Sequence, residues 1–277
     1  AAETAANLFA RLGRKKSLEG LDKYLFQGLS RPVQVKDVIE LYGDSGSGKT
    51  QILFHLIANC ILPLNWKGAC LGGRGVGVIF VDTHYHFSLL RLVEILEERI
   101  KSCFLKQGLP MISTAALQSF IKSCLTQLIV AKCDSTEELL RTMHSFDKIL
   151  CNTTDICVMI IDSVSAFYWQ DKSEGSEIYE GREKHQKKLI GLLRRYIDQY
   201  YLVVIATLPA IYSKDFQQVQ QMEDYAYMCR LWKWLVKYAY VVSRSSDKSS
   251  FLLKQVKPDV GNFVINFAVD KGGLLCY

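Results

Sequence analysis

The chain has 277 residues, 49% of them hydrophobic and 22% charged, which is ordinary for a soluble globular protein with one large domain or two small ones. The formal net charge of +6 permits a nucleic-acid partner but is too small to demand one. The 9 cysteines are scattered without a CxxC pair, which argues against a disulfide framework and against a zinc site built from such pairs.

Residues 1–30 are predicted to be an N-terminal lead-in segment, and residues 31–277 a single domain. The stretch AAETAANLFARLGRKK is rich in alanine and basic, but it contains Glu3 and no apolar centre. This pattern favours an amphipathic helix over a targeting peptide. The longest apolar stretch, residues 200–212, is shorter than the ~20 residues of a membrane-spanning helix, so no membrane association is expected.

Short apolar runs rich in β-branched residues recur along the chain, with helical segments between them. Continuous runs of this kind predict strands of a parallel sheet that helices cover on both faces. The runs lie at residues 38–43, 76–82, 127–133, 156–162 and 201–207.

Signals for helices and hairpins complete the fold prediction. Ser135 and Glu138 form a capping box that opens a helix, and apolar residues recur at helical spacing over residues 87–103. The latter are Leu89, Leu92, Val93, Leu96 and Ile100. Beyond residue 236, strand-like stretches separated by turn residues predict antiparallel hairpins that extend the sheet. The fold class is α/β, with a mostly parallel sheet flanked by helices and C-terminal antiparallel hairpin strands.

A glycine-rich loop, GDSGSGKT, follows the first predicted strand and precedes a predicted helix, which is the context that a phosphate-binding P-loop requires. Its backbone N–H groups and the helix N-terminus suit phosphate oxygens. The predicted nucleotide-binding residues are Gly43, Asp44, Ser45, Gly46, Ser47, Gly48, Lys49 and Thr50. Lys49 is expected at the β- and γ-phosphates and Thr50 at a Mg²⁺ ion. The alternative is a relic loop that preserves the fold without nucleotide.

A P-loop site also needs a carboxylate that holds Mg²⁺ from the end of a neighbouring strand. Asp162, which ends the run ICVMIID, is the predicted residue, together with the Thr50 hydroxyl. Asp82, which ends VGVIFVD, is a competing candidate. For either residue the alternative is an aspartate that caps the turn after its strand.

The segments GDSGSGKT, FVDTHYHFSLLRL, MIIDSVSAFYW and VVIATLP, in this order, resemble the ATPase core of RecA-type recombinases, and most closely the eukaryotic recombinase paralogues. The resemblance covers about residues 30–270. It implies a twisted RecA-like sheet, ATP and Mg²⁺ as cofactors, and a nuclear, partly cytoplasmic role in homologous recombination repair of DNA double-strand breaks and damaged forks. It also implies another recombinase paralogue as the direct partner within a multi-paralogue complex.

Departures from the family pattern imply weak or absent catalysis. His84 occupies the position of the family's water-activating glutamate, so no catalytic residue is assigned. Pro209 stands where the family has a glutamine that senses the γ-phosphate. The first DNA-binding loop, residues 169–181, has an acidic balance, and the second, within 213–227, is nearly neutral. The expected function is therefore a non-catalytic or weakly catalytic ATP-binding subunit that reaches DNA through its complex. An independent DNA-stimulated ATPase is the alternative.

The chain lacks the family's F-x-x-A tether, because neither Phe9 nor Phe26 begins such a motif, and a homo-filament is not expected. It is expected to accept a neighbour's tether on the third strand and the following helix. The residues predicted for this surface are Val130, Leu139, Leu140 and Met143. The alternative is that these residues belong to the core.

Further groups of residues leave their own alternatives open. His84 and His86 have a spacing that metal ligands can have. The aromatic residues Trp232, Trp234, Tyr238 and Tyr240 suit either base stacking or packing. The basic residues Lys184, Lys187, Lys188, Arg194 and Arg195 suit either phosphate contacts or a solvated helix face.

Overall fold

The computed structural model describes residues 18–22, 24–29, 31–168, 179–210, 228–245, 250–258 and 263–276, with the backbone alone for residues 179–183. The strands are β1 (Val38–Gly43), β2 (Asn65–Trp66), β3 (Ala69–Cys70), β4 (Gly77–Asp82), β5 (Leu128–Lys132), β6 (Ile156–Asp162), β7 (Val203–Pro209), β8 (Tyr238–Arg244), β9 (Phe251–Lys257), β10 (Val264–Asp270) and β11 (Gly273–Cys276). The helices are α1 (Lys49–Ile61), α2 (Leu89–Lys106), α3 (Thr114–Leu125), α4 (Thr136–Asn152), α5 (Tyr179–Tyr200) and α6 (Arg230–Leu235).

The described strands form a 9-stranded sheet in the order β11-β10-β9-β8-β1-β7-β6-β4-β5, and β2 and β3 form a separate small hairpin. Six neighbouring strands of this sheet are parallel to one another, namely β8, β1, β7, β6, β4 and β5. The strands β9, β10 and β11 are antiparallel to their neighbours. The predicted fold class is confirmed. The sequence did not predict β11 or the β2–β3 hairpin.

The central strands are continuous apolar runs because helices cover both faces of the sheet. Every residue of β1, β4 and β6 is buried. One face packs against α1, α2 and α3, and the other against α4, α5 and α6. Burying an aliphatic or aromatic side chain contributes about 1.5–3 kcal/mol, so these two layers supply most of the stabilisation.

Serine side chains cap the start of two of the helices that the sequence predicted. Ser88 accepts from the Arg91 N–H at 3.3 Å at the start of α2, and Ser135 accepts from the Glu138 N–H at 3.3 Å at the start of α4. Glu138 in turn accepts the Asp134 N–H at 2.8 Å. Of the apolar residues at helical spacing, Leu89 lies in the first turn of α2 and is 51% exposed.

The described part of the lead-in segment packs on the same core as α1. Leu18, Leu21 and Leu25 are buried there. The Asp22 carboxylate lies 2.6 Å from His55 Nε2 and accepts from the Asn59 amide at 3.1 Å, and both partners are on α1. Within the described ranges, no helix combines the length and the apolar character needed to cross a bilayer.

Candidate nucleotide-binding site

The phosphate loop lies between the end of β1 and the start of α1, at the edge of the sheet where the parallel strands end. Gly46 and Gly48 have φ angles of 75° and 95°, in the left-handed region that glycine adopts without strain. Gly43 is needed for a different reason. A Cβ atom on Gly43 would lie 2.1 Å from the carbonyl oxygen of Val242, so only glycine permits this approach of β1 to β8.

The Lys49 ammonium lies inside the loop. It donates to the carbonyl oxygens of Gly43 and Asp44, both at 2.7 Å, and to Ser47 Oγ at 3.3 Å. Burial lowers the pKa of Lys49, while the charges of Asp162 and Asp44 act in the opposite direction. The loop therefore presents a cation among backbone groups, which is the chemistry that phosphate oxygens require.

The predicted metal residues lie together. Thr50 Oγ1 donates to Asp162 Oδ2 at 2.9 Å, and Thr207 Oγ1 donates to Asp162 Oδ1. One hydroxyl comes from the start of α1, the carboxylate from the end of β6, and the other hydroxyl from β7. A carboxylate beside a P-loop threonine hydroxyl is an oxygen-ligand set that fits Mg²⁺ held with water and phosphates.

Asp82 has a structural role instead. It lies opposite Asp162 in the β4–β6 register, but its side chain is fully buried. Its carboxylate accepts backbone N–H groups from His84, His86 and Phe87, at 3.4, 3.1 and 3.0 Å. The turn-capping alternative is thus the one that the structure shows for Asp82.

A cleft of about 630 Å³ surrounds the phosphate loop, which is within the ~300–1,000 Å³ usual for small-molecule sites. His84, His86, Asp162 and Pro209 all line it. Pro209 ends β7 and lies opposite Gly43 of β1. The structure therefore brings His84, the predicted metal residue Asp162 and Pro209 together at one cleft, whereas the competing candidate Asp82 does not line it.

The cleft also contains residues that the sequence analysis missed. Arg91 lines it from α2, and its guanidinium is held by Glu94, by Gln51 and by the carbonyl oxygens of Asp270 and Lys271. Phe251 of β9 lies against the loop, where a Cβ on Gly48 would be 3.2 Å from its ring. No sequence signal identifies Phe251, because the contact depends on how the C-terminal hairpin returns to the phosphate loop.

The predicted partner-binding residues divide into two groups. Val130 is 36% exposed on β5, the terminal strand of the described sheet, and Leu140 is half-buried on α4. Leu139 and Met143 are 3% and 0% exposed, and both belong to the core between α4 and the sheet. The core alternative therefore holds for Leu139 and Met143, and the exposed or half-buried members of the predicted surface are Val130 and Leu140.

The candidate DNA contacts lie partly outside the described residues, because the predicted DNA-binding loops fall largely on 169–178 and 211–227. Three of the four aromatic residues are buried and only one is exposed: Trp232, Tyr238 and Tyr240 are buried, and Trp234 is 76% exposed. The four residues therefore do not form a surface on which bases could stack. The basic residues predicted on α5 are all exposed, and two of them pair with acidic residues, Arg195 with Asp147 and Arg194 with Asp198. Among the side chains that the structure describes, no group of three or more His, Cys, Asp or Glu could hold a metal ion.

The order of the strands and the helices on both faces of the sheet define a RecA-like domain. The Rad51 family model matches residues 16–104 of the chain. The DNA repair protein XRCC2 of Mus musculus is 34% identical over 260 residues, which cover 90% of this chain and 87% of that protein. The XRCC2 homolog of Arabidopsis thaliana is 25% identical over 90% of this chain and 78% of that protein. The DNA repair protein RAD51 of Saccharomyces cerevisiae is 24% identical over 76% of this chain and 47% of that protein. The chain belongs to the Rad51 family of RecA-type recombinases and their paralogues.

Proposed function

We propose that the chain is an ATP-binding subunit, with little or no hydrolytic activity, of a recombinase-paralogue complex. In this proposal the complex acts in homologous recombination repair of DNA double-strand breaks and damaged forks, in the nucleus and to some extent in the cytoplasm. The similarity to proteins named as DNA repair proteins XRCC2 and RAD51 supports the repair role.

Binding of ATP and Mg²⁺ is supported by the composition of the cleft. Lys49 supplies a cation at the phosphate loop, and Thr50 and Asp162 supply adjacent oxygen ligands. When bound, Mg²⁺ would neutralise phosphate charge and orient the β- and γ-phosphates. The chain's own contribution is to align the loop, the threonine hydroxyl and the carboxylate along the edge of one rigid sheet.

The observation that carries the proposal of weak catalysis is the end of β4. This strand delivers His84 to the cleft, and the carboxylate beneath it, Asp82, is buried and fully used by backbone N–H groups. Of the described residues that line the cleft, Asp162 alone carries a carboxylate, and its two oxygens accept from Thr50 and Thr207. Loss of a positioned general base costs about 10²–10⁴ in rate.

The end of β7 also supports weak catalysis. Pro209 has neither an amide side chain nor a backbone N–H that could respond to the γ-phosphate. The neighbouring backbone is tied to β1 instead, because the Ala210 N–H donates to the carbonyl oxygen of Gly43 at 3.0 Å. A rigid connection at this point suits a subunit that holds nucleotide without coupling its hydrolysis to the adjacent loop.

Pairing with another recombinase paralogue is supported by the edge of the sheet at β5. Within the described residues β5 pairs with β4 alone, and Val130 and Lys132 are exposed on it. An edge strand of this kind is a template for a strand from another chain. Contact with DNA would then occur mainly through the assembled complex.

Single-turnover hydrolysis of ATP tests the proposal. The full chain is assayed alone, with single-stranded DNA, and with DNA and a partner paralogue, and Lys49→Ala serves as the reference for no specific turnover. We expect measurable nucleotide binding and a hydrolysis rate close to that of the Lys49→Ala reference under all conditions. Robust, DNA-stimulated turnover by the lone chain would overturn the proposal in favour of an independent ATPase.

A further inference from the structure

The loop between β4 and α2 presents a pair of imidazoles to the nucleotide cleft. His84 and His86 are both exposed and both line the cleft. Their ring centroids lie 5.6 Å apart, and the ring planes differ by 14°. The two side chains therefore stand side by side, on the same side of the loop as the phosphate-binding backbone.

This loop, residues 83–87, is fixed at both ends. At its start, Thr83 Oγ1 lies 2.8 Å from the carbonyl oxygen of Asp162 and accepts the Ser163 N–H at 2.7 Å. At its end, the Phe87 ring packs against Phe54 and Phe80, with centroid distances of 5.6 and 5.2 Å. Beneath it, Asp82 accepts the backbone N–H groups described above. The imidazoles are thus held on a rigid support before any ligand binds.

Tyr85, between the two histidines, has an unusual backbone conformation. Its φ angle is 57°, in the left-handed region, which costs a non-glycine residue about 1–3 kcal/mol. Tyr85 does not line the cleft, and its ring lies beneath the Lys132 ammonium, 5.4 Å from the ring centroid to Nζ. The strained residue points toward β5, while the histidines on either side point toward the phosphate loop.

Charged groups of both signs lie around the cleft. Lys49 lies on the phosphate-loop side, where Asp44 also acts on it. Arg91 lies on α2 and pairs with Glu94, and Asp162 is engaged by two hydroxyl groups. Asp82 lies beneath the loop and is satisfied by backbone N–H groups. On the far side, Lys132 of β5 and the acidic residues Asp134 and Glu138 face Tyr85.

We propose that His84 and His86 form a two-imidazole clamp that donates hydrogen bonds to the terminal phosphate of a bound nucleoside triphosphate. The clamp makes the cleft retain the triphosphate in preference to the diphosphate. This inference rests on the nucleotide binding proposed above. Each imidazole carries an N–H donor, and a hydrogen bond from it to a charged phosphate oxygen is charge-assisted and therefore stronger than a bond between neutral groups.

Isothermal titration calorimetry with a non-hydrolysable ATP analogue and with ADP, each with Mg²⁺, tests the clamp. The variants are His84→Gln, His86→Gln and the double substitution, and His144→Gln, exposed on α4, is the matched control. The wild-type chain should bind the analogue more tightly than ADP. The double variant should lose about tenfold of this preference or more, because hydrogen bonds to charged groups contribute roughly 1.5–3 kcal/mol.

The affinity for ADP should be the same in all four variants and the wild-type chain. An unchanged preference in the double variant would overturn the clamp and leave nucleotide binding standing. Failure of the wild-type chain to bind either nucleotide would overturn both.

Discussion

Thr50 Oγ1 donates a hydrogen bond of 2.9 Å to Asp162 Oδ2, which joins the first turn of α1 to the end of β6. Residues 112 positions apart in the sequence thus meet at one edge of the sheet. A Mg²⁺ ion bound here would take the hydroxyl and the carboxylate as neighbouring groups, replacing a contact that already holds them in place. The alignment needs no rearrangement of the backbone.

Replacing Asp162 with asparagine should abolish the dependence of nucleotide affinity on Mg²⁺. The amide is isosteric and can still accept from a threonine hydroxyl, but it lacks the negative charge that attracts the metal. Calorimetric binding of ATP, with Mg²⁺ and with a chelator, measures the effect. Asp134→Asn, at an exposed position before α4, is the matched control. An undiminished response of the Asp162→Asn variant to Mg²⁺ would exclude this carboxylate as the metal residue.

Replacing His84 with glutamate should raise single-turnover hydrolysis of ATP by about tenfold or more, because a missing general base accounts for about 10²–10⁴ in rate. The buried Asp82 network holds the backbone at this position, so the new carboxylate should point into the cleft. His144→Glu introduces the same charge on α4 as a control. An unchanged rate would show that His84 is not what limits hydrolysis. In that case a higher rate in the double variant His84→Glu, Pro209→Gln would identify the end of β7 as the source of the defect.

The sequence predicted the sheet because burial on both faces demands continuous apolar runs, which are visible without coordinates. It favoured Asp162 over Asp82 as the metal residue, but it left a turn-capping role open for both. Both end buried strands, and they lie opposite each other in the register. The backbone after each strand decides which aspartate can hold a metal. The turn at 83–87 folds over Asp82 and uses its carboxylate, whereas the Asp162 carboxylate contacts Thr50.

Long-range packing accounts for the remaining differences. The apolar stripe of α4 faces the core, so Leu139 and Met143 are buried, although the family resemblance placed them on a docking surface. Phe251 reaches the phosphate loop through the antiparallel strands, whose return path is not encoded in any local motif.

Glu40 should make the free energy of unfolding decrease as the pH rises. Burial raises the pKa of Glu40 from 4.5 to about 7, although the Trp232 indole, which donates to its carboxylate, acts in the opposite direction. The folded state therefore holds a proton that the unfolded state releases. This stabilisation is complete below about pH 4.5 and is lost as the pH rises through about 7.

Urea denaturation of the wild-type chain and of Glu40→Gln over this range measures the effect. Because the glutamine cannot ionise, the variant should gain stability relative to wild type as the pH rises, by up to about 3 kcal/mol between pH 5 and 8. A constant difference across the range would show that Glu40 does not titrate in the folded protein.

His55 should have the opposite pH dependence. Its Nδ1 accepts the Leu274 N–H at 3.1 Å, so the proton is on Nε2, which lies 2.6 Å from Asp22. Burial lowers the pKa of His55 and Arg99 lowers it further, while Asp22 raises it, and the net direction is below 6.5. The unfolded state therefore binds a proton more readily, and stability is lost as the pH falls below about 6.5.

Comparison of the wild-type chain with His55→Gln isolates the contribution of His55 to the pH dependence of stability. Glu40 is present in both proteins, so its contribution cancels. The glutamine can donate to Asp22 but does not titrate. The stability difference between wild type and variant, from urea denaturation, should narrow as the pH falls from about 7 to about 5. Parallel pH profiles of the two proteins would refute the assignment of this dependence to His55.

Val130 should be the residue of the predicted docking surface that a partner paralogue contacts. It is 36% exposed on the edge strand β5, so Val130→Asp places a charge at the surface without disturbing the core. We expect this substitution to weaken co-purification with the partner by about tenfold or more, as desolvating a charge at an interface does. The thermal midpoint of the isolated chain should change little.

Val264→Asp, on the 43% exposed Val264 of β10, is the matched control and should co-purify normally. Substitution of Leu139 or Met143 cannot test the surface, because a charge at either buried position would unfold the chain. Normal co-purification of Val130→Asp would place the partner on another face of the sheet.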